Sequence, residues 1–447
     1  MIAPRNATPT ITFIDDYCAA YRDLFPEVRT FENFLALHVG MISDIKRKSL
    51  PAIARAVGLH DAQPLQNFVT NSPWSAIELR QRRLELTKKM LKVRPFKLVI
   101  DETGDKKKGN STDYVARQYI GNLGKVDNGI VSVNAYGVLG ELTFPLMFKV
   151  FKPRKNLKEK DQYKTKPQLA VEIIEELIEN GFCFDLVLAD SLYGSSPTFL
   201  AVLDKYHLDY VLAIRRNHPE FTRGIQQVTY GPWQVFERIF TDGTQETRYI
   251  QQITEAQHTP VTYWRITTNP DTLPKNQTWY VSTNLQGDCA PCLGNLYGFR
   301  NWVEYAFKQG KNELGWADFR LTDYKQIEKW WELVMSAYLM VSLQAQARVD
   351  AFTNNQLPEA RVDASTNNQL PELSQEPPEF SQHKWWDFHK GWKSTLNNLR
   401  LIVQPYIFFN LITPWLAVFD IQCLRFGFRF LIDILNEFRG YIPINSG

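Results

Sequence analysis

The sequence predicts an α/β fold flanked by helical regions, and three observations carry that prediction. Between residues 96 and 217, short β-branched and aromatic runs alternate with helix-patterned segments; both flanks of that stretch read as helix; and two aspartates close apolar runs within it. At 447 residues the chain is long for one ordinary core, so more than one domain is expected. Hydrophobic residues at 44% and charged residues at 22% exclude disordered, collagen-like and coiled-coil chains. The net charge is only +3, so a polyanionic partner would have to be met by local clusters.

Residues 1–95 read as helices. KRKSLPAIARAVGLHDAQPLQNFV has apolar residues three and four apart with Gly58 between two short stretches, which fits a helix-turn-helix and fits a plain bundle about as well. Lys46, Arg47, Lys48 and Arg55 would suit phosphates there. A helix opening at Ser72-Pro73 runs on into a basic stretch from Arg80 to Lys97, whose plain reading is a solvated face. Strands are expected at 96–100, 115–120 and 130–136. Pro167 then opens a helix that Gly181 closes, FDLVLA is a buried strand, Ser196-Pro197 starts another helix, and DYVLAIR is a strand. The order is therefore β-β-β-α-β-α-β, the first part of a core spanning 96–217.

Residues 218–290 alternate in strand fashion and read as a β-rich insertion. Helical pattern returns over 291–347 as the second part of the core, including the apolar segment EKWWELVMSAYLMVSLQAQA. RVDAFTNNQLPEA is then followed directly by RVDASTNNQLPEL, so 348–380 reads as a duplicated flexible linker, with a helical C-terminal region at 381–447. The uncharged run Leu401 to Phe419 nominally spans a bilayer, but Gln404, Pro405, Asn410 and Pro414 favour a buried helix pair, so no membrane partner is expected. The N-terminus lacks a basic region followed by an apolar run, and five scattered cysteines make no disulfide framework, so a cytoplasmic protein is expected.

Asp101 in KLVIDETGDKKKG and Asp190 in DLVLADSLYG stand at strand ends, where a carboxylate reaches the rim of a packed sheet; for either alone, a capping or turn role explains it better. A third element makes the pair informative. Tyr297, Arg300, Glu304 and Lys311 have the spacing Y-x2-R-x3-E-x6-K, which on one continuous helix puts all four on one face and turns Glu313 away. Gly310 would weaken that argument by breaking the helix. Three carboxylates without histidine or cysteine suit Mg²⁺ or Mn²⁺, and two such ions ~3.5 to 4 Å apart serve phosphodiester cleavage.

With these motifs the sequence resembles the DDE transposases of prokaryotic insertion sequences, the group with the Y-R-E-K signature, strongly from about 96 to 345 and more loosely in the flanks. The resemblance implies a ribonuclease H-like catalytic core interrupted by a β-rich insertion, with 1–95 as a helical DNA-binding domain. It implies that Asp101, Asp190 and Glu304 are catalytic metal ligands holding two ions, and that Tyr297, Arg300 and Lys311 contact DNA. It further implies hydrolysis at transposon ends, attack of the freed 3′-hydroxyl on target DNA, a homodimer in the synaptic complex, and association with the nucleoid. An aromatic of the insertion, Trp264 or Trp279, would hold a displaced base, although a core role explains either one.

Charge patterning adds candidates for DNA contact. Residues 152–166 hold seven basic and two acidic side chains, Arg154 and Lys155 among them, and Lys106, Lys107 and Lys108 follow Asp101 closely. A solvated loop is the plain alternative. Cys289 and Cys292 lack the second pair a zinc site needs, His383 and His389 make no convincing metal pair, and no phosphate-binding loop of the G-x4-G-K-[ST] form occurs. A nuclease of the same fold without strand transfer, and an inactive DNA-binding relic, are the remaining readings.

Overall fold

The computed structural model of the chain describes residues 5–216, 229–240, 243–254, 260–287, 289–353 and 380–440. It divides into two compact units, one of residues 1–90 with 308–447 and one of residues 91–307.

The second unit is built on one mixed sheet. β1 (Phe96–Lys106) pairs antiparallel with β3 (Lys125–Leu139) and parallel with β5 (Phe184–Ala189), which pairs parallel with β6 (Tyr210–Ile214). The far edge of β3 is shared by β2 (Ala116–Ile120) and β4 (Leu142–Val150). α6 (Lys166–Glu179) crosses from β4 to β5; its Thr165 hydroxyl and Gln168 form a capping box, and Pro167 sits in its first turn. α7 (Ser191–Gly194) and α8 (Pro197–Lys205) lie between β5 and β6. The parallel β1, β5 and β6 beside an antiparallel β3–β4 hairpin are the arrangement of a ribonuclease H-like core, an α/β fold.

Four strands precede α6, where the sequence suggests three. β4, LTFPLMFKV, is almost wholly buried and so lacks the alternation that marks a half-exposed strand. Its Pro145 is accommodated where the β3–β4 register slips between Ala135 and Tyr136. β1 also runs six residues past Ile100, because β3 continues to pair with it after β5 has ended.

The segment read as an insertion does not form a separate layer. β11 (Thr278–Thr283) adds antiparallel to β6, and β10 (Thr262–Thr267), β9 (Gln245–Thr254), β7 (Thr229–Tyr230) and β8 (Gln234–Ile239) extend the same sheet. α9 (Ala290–Gly298) then docks on β8. Arg238 donates to the Gly298 carbonyl at 3.1 Å and to Asn295 Oδ1 at 3.2 Å, while Asn295 donates back to the Glu237 carbonyl at 2.9 Å. A β-carbon on Gly298 would lie 2.0 Å from the Arg238 guanidinium carbon, so a side chain there would displace the guanidinium from its place.

The other unit joins the N-terminal helices α1 (Thr12–Ala19), α2 (Val28–Ile42), α3 (Leu50–Ala56), α4 (Gln63–Thr70) and α5 (Ala76–Leu91) to three helices from the far end of the chain. These are α11 (Tyr324–Thr353), α12 (Trp392–Phe419) and α13 (Gln422–Leu435), numbered after α10 (Asn301–Lys308) of the site described below. The division therefore differs from separate N-terminal and C-terminal regions. The cause is a shared core on α11: the Tyr17 hydroxyl donates to the Ser336 carbonyl at 2.8 Å, and His38 Nε2 meets Ser336 Oγ at 2.9 Å. Glu332, fully buried, is held by Arg80 at 2.6 Å and Arg83 at 3.1 Å. Those two arginines thus do not belong to a solvated basic face; they neutralise a charge that burial would otherwise make costly.

Three further readings change. Lys48 is buried, its ammonium donating to the Ser43 and Ile45 carbonyls, so it is not available to phosphates; Arg47 lies 3.5 Å from Asp318, while Lys46 and Arg55 are exposed. Leu401 to Phe419 belongs to one helix, not a buried pair, and its second half is largely exposed despite Pro405 and Pro414. Residues 348–353, the first six of the expected linker, continue α11; residues 354–379, with most of the duplication, lie outside the described residues.

His38 supplies a pH-dependent term. Burial pushes its pKa down to about 4, so its contribution to stability is complete above the ordinary value near 6.5 and is lost as pH falls towards 4. That loss should amount to about 3 kcal/mol. His38→Gln should flatten the slope of unfolding free energy between pH 6.5 and 4, read by urea denaturation at successive pH values.

Candidate functional site

Register puts the two aspartates side by side. Ile100 of β1 pairs with Ala189 of β5 in the last parallel rung, so Asp101 and Asp190 are the next residue on each strand. After that point the strands diverge: β1 continues along β3, and the other chain turns into α7. Asp190 Oδ1 accepts from the Leu192 amide at 2.8 Å and caps α7, so the capping reading describes one of its oxygens. The turn is packed tightly, since a β-carbon on Gly194 would lie 2.1 Å from the Ala213 carbonyl oxygen of β6.

Asp101 accepts from the Glu102 amide at 2.8 Å through Oδ1, and its Oδ2 lies 3.4 Å from Arg300 Nη1. Desolvation pushes the Asp101 carboxyl up to about 7; Arg300 pulls it down and Asp190 pushes it up. Asp190 is raised as well, by burial first and then by the charge of Glu102. Arg300 keeps its proton firmly: burial opposes the charge, but Tyr297, Asp101, Asp190 and Glu304 together outweigh it. Its Nε is buried without a hydrogen-bond partner among the described residues.

Glu102 is a residue that the sequence reading passed over. Its carboxylate accepts from Lys166, the first residue of α6, at 2.6 Å and from the Tyr193 hydroxyl of α7 at 3.1 Å. One side chain thereby ties the end of β1's parallel segment to the start of α6 and to the turn that carries Asp190. Burial and the surrounding acids push Tyr193 well above the usual phenol range, which keeps its hydroxyl a donor. The acidic pair ETGD-type context of Asp101 marks no such role; only the pairing of distant Lys166 and Tyr193 exposes it.

The Y-R-E-K residues do not lie on one helix. Tyr297 is in α9, Arg300 in the turn that follows, Glu304 in α10, and Lys311 in a π-helical turn, Gln309–Glu313. The helix breaks after Gly298, where Arg238 takes the terminal carbonyl. Tyr297, Arg300 and Glu304 still interact. Tyr297 is raised by burial and held down by Arg300, and Glu304 Oε1 lies 3.8 Å from Arg300 Nη2. Glu304 is 54% exposed, unlike either aspartate. Lys311 belongs to the helical unit, whose second segment starts at residue 308. Glu313 is engaged there by Lys393 at 2.6 Å and Arg400 at 2.8 Å, which accounts for its carboxylate.

A cleft of about 520 Å³ opens beside Asp190, lined also by Arg216, Lys275, Trp279, Tyr297 and Arg300. Arg216 and Lys275 escaped the sequence reading because they lie far apart in the chain and in neither of the motifs that carry the acids. Trp279 lines this cleft, with Arg248 4.6 Å from its ring centre, whereas Trp264 is a core residue whose indole donates to Thr262 at 3.0 Å. Of the other basic candidates, Lys106 pairs with Asp127 at 2.7 Å, and Lys107 is bonded through its backbone to Asn128. Lys108 is exposed, as are Arg154, 4.3 Å from the Tyr163 ring centre, and Lys155. Within 152–166, Lys152, Lys158, Lys164 and Lys166 are taken by carboxylates, so much of that charge is structural.

The donor set at Asp101 and Asp190 fits a hard divalent cation: oxygen ligands only, both desolvated and raised by neighbouring negative charge that a cation would relieve. Among the described residues no group of three His, Cys, Asp or Glu side chains is gathered as a metal cage. The fit therefore rests on the two aspartates, with Glu304 turned to Arg300.

This sheet, with two aspartates at adjacent parallel strands and an arginine–glutamate pair from the helix-turn-helix segment after β11, defines an enzyme of the ribonuclease H-like class. The family model described as DDE superfamily endonuclease matches residues 22–263, and a relative from Microchaete diplosiphon is 54% identical over 329 residues, which is 73% of this chain and 87% of that protein. The relative is described as a probable transposase for insertion sequence element IS701. The chain belongs to the DDE superfamily of endonucleases, enzymes that act on DNA. The family match takes in both aspartates and ends before Glu304.

Because Asp101 is raised in the metal-free protein, the stability it contributes is complete below the ordinary carboxyl value near 3.8 and is lost as pH rises through about 7. Asp101→Asn should therefore be the more stable protein at pH 8 by about 2 to 4 kcal/mol without metal. The difference should vanish below pH 4, as read from thermal or urea unfolding in chelator.

Proposed function

We propose that the protein is the transposase of an insertion sequence, cutting at the element's ends and joining the freed 3′-hydroxyl to target DNA in a reaction that needs Mg²⁺ or Mn²⁺. The observation that carries this reading is the juxtaposition of Asp101 and Asp190 at the last parallel rung with Arg300 against Asp101. In this reading Asp101 and Asp190 hold the cation, and Glu304 completes the set by leaving Arg300. When bound, the cation supplies positive charge to the scissile phosphate and lowers the cost of forming the attacking oxygen nucleophile.

The remaining roles belong to the protein's side chains. Arg300 is freed to donate to a phosphate oxygen when DNA enters, and Tyr297 donates its hydroxyl beside it. Arg216 and Lys275 extend the positive lining of the cleft, and Trp279 presents a ring on which an unpaired base can stack. Lys106, Lys107, Lys108, Arg154, Lys155 and Lys311 contact the DNA backbone away from the cut. Glu102, through Lys166 and Tyr193, is a positioning residue that holds the Asp190 turn against β1. The helices of residues 1–95 contribute to binding the terminal repeats, two copies bring two ends together, and the working location is the nucleoid.

The test is cleavage and joining of DNA carrying the element's ends, with Mg²⁺ or Mn²⁺, comparing the unaltered protein with Glu304→Gln at one fixed salt concentration. Cutting and joined products should both fall in the variant on the order of a thousandfold, the scale of losing a group that stabilises developing charge. DNA binding, measured in the same buffer, should be retained. Equal activity of both proteins removes Glu304 from the reaction. Cleavage without joined products identifies a nuclease that lacks strand transfer, and binding without cleavage in either protein identifies an inactive relic.

A further inference from the structure

The π-helical turn Gln309–Glu313 carries Lys311, and its last residue has no part in the function proposed above. Glu313 is nevertheless doubly paired. Its two oxygens are divided between cations of α12: Oε1 lies 2.6 Å from Lys393 Nζ, and Oε2 lies 2.8 Å from Arg400 Nη1. Lys393 and Arg400 are seven residues apart, close to two helical turns, so they share the face of α12 that meets the turn.

α12 is itself fixed beside both cations. The Trp392 indole is buried and donates to the Tyr338 carbonyl of α11 at 3.2 Å, and Arg400 Nε donates to the Ile42 carbonyl at the end of α2 at 3.0 Å. Tyr338 also donates its hydroxyl to the Gln309 side chain, and the Trp330 indole donates to the Gly315 carbonyl at 3.0 Å. The turn is therefore tied to α11 and α12 at its start, at its end and just beyond it, all within one unit. Its own closure is thinner: the Leu314 amide donates to the Gln309 carbonyl at 3.2 Å, the long end of the range for such a bond. A π turn is rare and is found frequently at functional sites. Burial opposes the charge of Glu313, but Lys393 and Arg400 outweigh it and hold the carboxyl below its usual range. Asp44, 3.8 Å from Arg400 and 86% exposed, competes only weakly for that guanidinium.

We infer that Glu313 is a positioning residue for DNA binding: held by Lys393 and Arg400, it fixes the turn from which Lys311 reaches a backbone phosphate. Residues two apart on a helical turn do not face each other, so Lys311 and the clamped carboxylate lie on different sides of the turn. A lysine carried on an ordered turn gives up less freedom on meeting a phosphate than one carried on a loose turn, because the backbone is ordered beforehand. The inference rests on the reading that Lys311 contacts the DNA backbone, and it adds the acid that holds that contact in place.

The experiment is the salt dependence of binding to duplex DNA carrying the element's ends, read by fluorescence anisotropy in chelator so that neither a cation nor cleavage takes part. Lys311→Ala should lower the slope of log K against log salt by about one unit, the loss of one phosphate contact. Glu313→Gln should lower it by about as much, and Lys311→Ala added to Glu313→Gln should lower it no further. The sign separates positioning from bulk charge. Glu313→Gln makes the chain one charge more positive and releases Lys393 and Arg400, which by charge alone would steepen the slope and tighten binding. Glu313→Asp keeps the charge and shortens the reach; it should lose part of the slope at unchanged net charge, and it carries the comparison if the circular dichroism spectrum shows Glu313→Gln unfolded. A slope unchanged or steeper in the folded Glu313 variants, while Lys311→Ala lowers it, overturns the inference and leaves the Lys311 contact standing. An unchanged slope in Lys311→Ala overturns both.

Discussion

The site depends on where the parallel pairing of β1 and β5 stops. Ile100 against Ala189 is the last rung, and from there one strand keeps pairing with β3 while the other turns into α7. Two carboxylates are thereby left adjacent at a place where the sheet still excludes water. Holding like charges together in a desolvated position works against folding, and the raised Asp101 and Asp190 carboxyls express that cost. The surroundings offset part of it: Arg300 faces Asp101, the Leu192 amide caps Asp190, and Glu102 with Lys166 and Tyr193 pins the turn. Residual strain of this electrostatic kind is what a cation would relieve, and it is concentrated where the proposed reaction needs it.

The α/β core was legible in the sequence because its elements announce themselves locally. Pro167 and the Thr165 cap open α6, Ser196 and Pro197 open α8, and FDLVLA is too short and apolar to be anything but a buried strand. β4 was not legible, since a solid apolar run containing proline has no period to read. Helix-wheel geometry for Tyr297, Arg300, Glu304 and Lys311 failed for a different reason. It assumes a continuous helix, and the break after Gly298 is made by Arg238, sixty residues earlier, whose approach no local pattern records. Three of the four residues nevertheless interact at spacings of three and four, because the turn keeps helix-like hydrogen bonds, from the Arg300 amide to the Tyr297 carbonyl and from the Val303 amide to the Arg300 carbonyl.

Charge was the least reliable guide. Arg80 and Arg83 look like members of a basic surface run, yet they neutralise a buried glutamate, and Lys48 is sequestered by backbone carbonyls. The +5 segment at 152–166 spends four of its lysines on nearby carboxylates. What distinguishes Arg216 and Lys275 is location in the cleft beside Asp190, which only the fold supplies. The helical unit illustrates the same point at larger scale: Ser336 and Glu332 of α11 gather partners from the first 90 residues, so segments at opposite ends of the chain share one core.

The central claim is that the adjacent aspartates form a cation site, and the most direct measurement is anomalous diffraction from crystals of the full chain soaked in Mn²⁺. The account predicts a peak between the Asp101 and Asp190 carboxylates, about 2 Å from an oxygen of each. A map with no peak there at saturating Mn²⁺, or with the only ordered ion held by other carboxylates such as Glu102, would contradict it.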